Sequence, residues 1–76
     1  MNPPTIFKLG DEIEIDCDGR VEEGQVVFGS KNGISLVIGY EAILQGFVGT
    51  MAIMWDEEEA RWFNALTGET IGIRKK

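Results

Sequence analysis

Histidine is absent from this 76-residue chain, and cysteine occurs once, at position 17. Without histidine the commonest general acid–base and the imidazole metal ligand are both missing. With one cysteine no intramolecular disulfide can form, and a thiolate zinc site lacks its donors. No metal, no cofactor and no catalytic residue is therefore expected. Carboxylates could still serve an enzyme, but most lie on an alternating face or in a turn, where acids keep a surface hydrated. Proline occurs twice. Pro3 and Pro4 hold the first residues extended, so 1–8 reads as an extended N-terminal arm.

Long hydrophobic runs are also missing. The longest uncharged run, 42–55, has fourteen residues, against roughly 20 for a membrane-spanning helix. The start, "MNPPTIFKLGDE", lacks the basic segment and apolar run of a secretory signal. The expectation is a cytoplasmic protein with no membrane partner and a free Cys17 thiol. Positive charge is scarce too. Seven bases face thirteen acids for a net charge of −6, and three of those bases, Arg74, Lys75 and Lys76, end the chain. Such a field repels phosphate backbones, which disfavours nucleic acid as a partner.

What the chain does contain is enough for a core. The hydrophobic fraction of 43% and seven aromatics exclude a disordered polymer. A chain of this size makes one domain and buries about 60% of its extended surface, so its stability gains from help. With disulfide and zinc removed, what remains is an efficient single core or subunit association.

The strand signals come in order. In "DEIEIDC" (11–17), Ile13, Ile15 and Cys17 alternate with Glu12, Glu14 and Asp16, the period of a strand with one wet face. An inward Cys17 behaves as a small hydrophobe rather than a nucleophile. "DCDG" (16–19) lacks the donor spacing of a calcium loop, and Asp18-Gly19 reads as a hairpin turn. "RVEEGQVVFG" (20–29) is a second strand, in which Gly24 marks a bulge or bend. Asn32-Gly33 signals another hairpin before "ISLVIG" (34–39). "FVGTMAIMW" (47–55) is a strand, with "DEEE" (56–59) as the turn after it. "ARWFNAL" (60–66) and "TIGIRKK" (70–76) flank a Gly68 turn, with Trp62 and Leu66 on one face. Six short strands without a long helix make 1–76 a single all-β domain, a small barrel or sandwich, with an SH3-like, partly open barrel of five or six antiparallel strands as the expectation.

The run "LGDEIEI…DG…EEGQVVFGSKNGISLVIG" (9–39) resembles the opening of many SH3-like barrels. The Sm-like RNA-binding proteins share a "DGR…EG" rise, matched by Asp18, Gly19, Arg20 and Gly24. The helix that precedes it in that family is interrupted here by Pro3, Pro4 and Gly10. The plasmid-borne type II dihydrofolate reductases share "GD…GQ(I/V)V", matched by Gly10, Asp11, Gly24, Gln25, Val26 and Val27. Their Val-Gln-Ile-Tyr active-site motif is missing, so no reductase activity carries over. Both likenesses span less than half the chain and imply the fold. The compact acidic character is also similar to small proteins encoded on mobile gene cassettes.

The odd segment is "GYEAILQGFVGTMAIMW" (39–55), seventeen residues with one charge, Glu41. Tyr40, Ile43, Leu44 and Phe47 have the spacing of one helical face over one or two turns. In the following strand Phe47, Met51, Ile53 and Trp55 point one way, and Val48, Ala52 and Met54 the other. Both faces are apolar, so the strand is either covered on both sides or meets a partner. The expectation is a non-catalytic binding or interaction module that self-associates through 40–55 as a homodimer or larger homo-oligomer. Its contact residues are Tyr40, Ile43, Leu44 and Phe47, with Trp55 and Trp62 in core or interface packing. In the alternative arrangement, 40–47 folds over the barrel end as a plug. Other partners weighed are a protein or small ligand, an Sm-like role on nucleic acid, and a carboxylate enzyme in an intersubunit cleft.

Overall fold

The computed structural model describes residues 3, 5–17, 19–42 and 47–76, with the side chains of 17, 41, 42, 47 and 48 outside the description. Six strands follow one another: β1 (Glu12–Cys17), β2 (Arg20–Gly29), β3 (Ser35–Ala42), β4 (Phe47–Asp56), β5 (Arg61–Asn64) and β6 (Thr70–Lys75). Each pairs antiparallel with the next, and β6 returns to β1. The result is an all-β closed barrel in meander order, an outline consistent with the SH3-like expectation. Closure goes further than the partly open barrel read from the sequence. Four Cα partnerships, from Ile13↔Lys75 to Asp16↔Gly72, seal the seam.

The alternation expected in β1 holds. Ile13 and Ile15 are buried while Glu12 and Asp16 are exposed. Inward residues of every strand meet in one core: Ile13, Ile15, Val26, Leu36, Ile38, Ile53, Trp55, Trp62 and Ile71. Phe7 joins them from the arm, with its ring edge-on to Trp62 at 6.1 Å. The arm is tied down by Gly10 N–H to the Val26 carbonyl (2.8 Å) and Val26 N–H to the Asp11 carbonyl (3.0 Å). A segment expected to be merely extended thus contributes a core aromatic. At the turns, Gly19, Gly33 and Gly68 take φ of 77°, 74° and 80°, the left-handed region that glycine enters without a Cβ penalty.

Three expectations change. The bulge lies between Val26 and Phe28, not at Gly24. Gly24 is instead a point of close approach: a Cβ there would stand 2.6 Å from the Gly39 carbonyl oxygen. The helical spacing that begins at Tyr40 is not a helix where it is described, because Tyr40, Glu41 and Ala42 continue β3 and pair with Gly49, Val48 and Phe47. Pairing with a long neighbour outweighs a spacing of one or two turns. Finally, β5 stops at Asn64, whose side-chain oxygen accepts the N–H groups of Leu66 (2.8 Å) and Thr67 (3.3 Å). That capture turns the chain out of the sheet. Leu66 is therefore 92% exposed while Trp62 is 6% exposed, so they share no face.

Candidate interaction surface

The six residues singled out from the sequence separate into three groups. Trp55 and Trp62 belong to the core: they are Cα partners across β4 and β5, with rings edge-on at 5.4 Å. At 7% and 6% exposure they present almost no surface to a partner. Tyr40 is half-buried against the core, its ring so close to the β4 backbone that a Cβ at Gly49 would lie 3.0 Å from its Cζ. Ile43, Leu44 and the Phe47 side chain lie outside the described residues, and with them the choice between plug and contact for 40–47.

The two-faced strand itself is described. Its inward side carries Ile53 and Trp55, both buried, with Met51 partly buried against the core. Its outward side carries Thr50, Ala52 and Met54, all exposed, so the second apolar face of β4 looks outward from the barrel. The register extends this face on either side. Val37 is the partner of Ala52 and of Phe28, and Met54 pairs with Ser35 and Phe63.

Phe28 and Val27 are the residues that sequence reasoning missed. Strict alternation along β2 would send one of them inward, beside the buried Val26. The bulge inserts an extra residue, so Val27 and Phe28 both face out. Phe28 is 58% exposed and Val27 45%. The only cue in the chain is the unbroken apolar run Val26-Val27-Phe28, which does not say which residue is extra.

Next to them lies an open groove of ≈ 430 Å³. Its wall is Val27, its bare stretch is Gly39, and its rim is Glu12, Glu23, Gln25 and Lys76. Glu12, Gln25 and Gly39 stand in one row across β1, β2 and β3. Because Gly39 carries no side chain, the row drops away there. Lys76 Nζ is 2.8 Å from Glu23 Oε1, which places a matched charge pair on the rim.

Charge is distributed unevenly around the barrel. Along the β1–β6 seam, Arg74 pairs with Glu14 (3.4 Å) and Lys75 with Asp11 (3.5 Å). The Asp11 carboxyl is held below the ordinary aspartate range, chiefly by the Lys8 N–H donated to Oδ2 at 2.9 Å. Partial burial opposes this shift and Lys75 adds to it. Lys76 is raised above the ordinary lysine range, first by its bond to Glu23. On the opposite flank, Val27, Phe28, Ser35, Val37, Gly39, Thr50, Ala52 and Met54 carry no charge. Arg61 closes that flank at β5. Its guanidinium lies 5.4 Å from the Phe63 ring centre, and Nη1 donates to Thr70 Oγ1 (2.7 Å) and the Gly68 carbonyl (3.2 Å).

Among the described residues no group of three or more Cys, Asp or Glu side chains is placed to hold a metal ion. Nor is any helix among them long and apolar enough to cross a membrane. The fold and surface together define a small closed antiparallel barrel with one uncharged apolar flank. Comparison with protein-family models, curated proteins and solved structures finds no match to this chain.

Proposed function

We propose that this protein is a non-catalytic interaction module of a reducing, cytoplasmic compartment that works as a homo-oligomer. The observation that carries the reading is the uncharged patch where the middle of β3 meets β2 and β4, with Val27, Phe28, Ala52 and Met54 exposed on it. Scattered apolar residues on a surface need no explanation, but a contiguous set on a highly charged chain does. Covering it with protein removes apolar area from water and adds stability to a domain whose own core is small. The acidic seam supports the same reading from the other side, since its field opposes nucleic acid and leaves protein as the natural partner.

Solution mass tests this directly, by light scattering after size exclusion over a hundredfold dilution. A species of two or more copies, dissociating on dilution, is the expected result. A single-copy mass at every concentration would reject self-association. The search would then turn to a different protein that covers the flank.

A further inference from the structure

Resting on that reading, we infer that two copies join flank to flank about a two-fold axis, with Phe28 of each seated in the groove over Gly39 of the other. Three observations converge on a second copy as the occupant.

The first is topological. Each described strand has a neighbour on both sides, so no strand offers a full-length free edge, although β5 covers only Ile53–Asp56 of β4. The broad surface left for association is therefore an outer face of side chains.

The second is charge. Two copies at −6 each repel, and that repulsion is weakest where the approaching surfaces carry no charge. The middle of the flank, from Phe28 and Val37 to Ala52 and Met54, is such a surface, while the groove beside it carries Glu12 and the Lys76–Glu23 pair on its rim.

The third is shape. A two-fold interface uses the same patch twice, so the patch must carry both a projection and a matching hollow. Phe28 projects because the bulge at Val27 turns it outward. Its partner Val37 is two residues from Gly39 on the same face, which puts projection and hollow diagonally adjacent, about 7–8 Å apart. The groove of ≈ 430 Å³ has room for a phenyl ring beside Val27.

The size also fits. A stable interface takes about 800 Å² from each partner, roughly a sixth of the 5091 Å² surface of this chain. A barrel with extents of 36 × 24 × 21 Å offers that much on one flank.

Two variants probe the projection and the hollow separately. Phe28→Ser removes an exposed ring and should weaken association by at least about 30-fold, the usual effect at a central aromatic contact. Gly39→Ala puts a methyl group on the groove floor. Its Cβ would meet only the movable Val27 side chain, 3.2 Å away, and a distant Gln25 carbonyl, so the single barrel keeps its fold. Association should weaken by about tenfold through overpacking, while the urea midpoint of the dilute, single-copy protein holds or rises. Wild-type dimers with both variants folded and shifted to single copies are the expected outcome. Wild-type dimers that neither variant disturbs would overturn this interface and leave self-association standing. A complex larger than two copies would overturn the two-fold arrangement. A wild-type protein that stays single at every concentration would overturn both readings.

Discussion

The β1–β6 seam and the β2–β4 flank are built from the same pleated strand, yet they present opposite surfaces. At the seam every outward side chain described on β1 is acidic, and closure brings the basic C-terminal end of β6 beside it. On the flank the outward row from Phe28 through Val37 to Ala52, with Met54 beside it, is apolar. The inward side is alike in both regions, with Ile13 and Ile15 at the seam and Ile38 and Ile53 at the flank in one core. The difference teaches that the barrel needs only one face of each strand. The outer face is free to carry another purpose, hydration at the seam and, in the role proposed above, contact at the flank.

The sharpest way to break that comparison uses neighbouring residues of β4. Ile53→Ala removes a fully buried side chain and should cost about 2–5 kcal/mol in urea unfolding. Met54→Ala, on the opposite face, should stay within about 0.5 kcal/mol in the dilute protein. Equal losses would mean that the flank is part of the core. Next in size is Gly24→Ala, whose Cβ would press on the Gly39 carbonyl at 2.6 Å. Backbone has to move to relieve it, so a loss of about 1–3 kcal/mol is expected. An unchanged urea midpoint would show that β2 and β3 are less closely apposed there.

A smaller effect of opposite sign is expected in the β4–β5 turn. Asp56 Oδ1 accepts the N–H groups of Glu58 (3.0 Å) and Glu59 (3.2 Å), and Ala60 then takes φ of 53°. A left-handed alanine is strained by about 1–2 kcal/mol. Ala60→Gly should relieve that strain, less the extra entropy of the unfolded glycine, for a gain of up to about 1 kcal/mol in thermal or urea unfolding.

The smallest effects lie at the seam, where the ion pairs are exposed and screened by solvent. Asp11 titrates below its ordinary value when folded. Its contribution is complete above about pH 3.9 and is lost as pH falls through the lower folded value. Asp11→Asn should flatten that part of the acid dependence of the melting temperature. Lys76 behaves in the opposite sense: its contribution is complete below about pH 10.4 and fades as pH rises through the raised folded value. Lys76→Gln should lower the melting temperature slightly at neutral pH and make the alkaline fall shallower.

Legibility followed the range of the forces involved. Glu-Ile alternation in 12–15 and the glycine turns at 19, 33 and 68 depend on residues a few positions apart, so strands and hairpins could be read directly. The two-faced character of 47–55 was equally local. Tyr40 was read apart from the strands on its helical spacing, because a short apolar spacing looks alike in a turn of helix and at a strand end, and pairing with Gly49 decides between them. Phe28 was passed over because a bulge is settled by how β2 is drawn against β3.

Composition and local pattern are sufficient for an acidic, all-β chain of six strands. Each of those properties is short-ranged or additive along the chain. Closure of the ring, the burial of Phe7 with Trp55 and Trp62, and the outward turn of Val27 and Phe28 depend on residues far apart in sequence. The seam exists only once β6 has come round to β1, and the outward turn of Val27 and Phe28 only once β2 is drawn against β3, so the outer surface is settled by the assembled sheet.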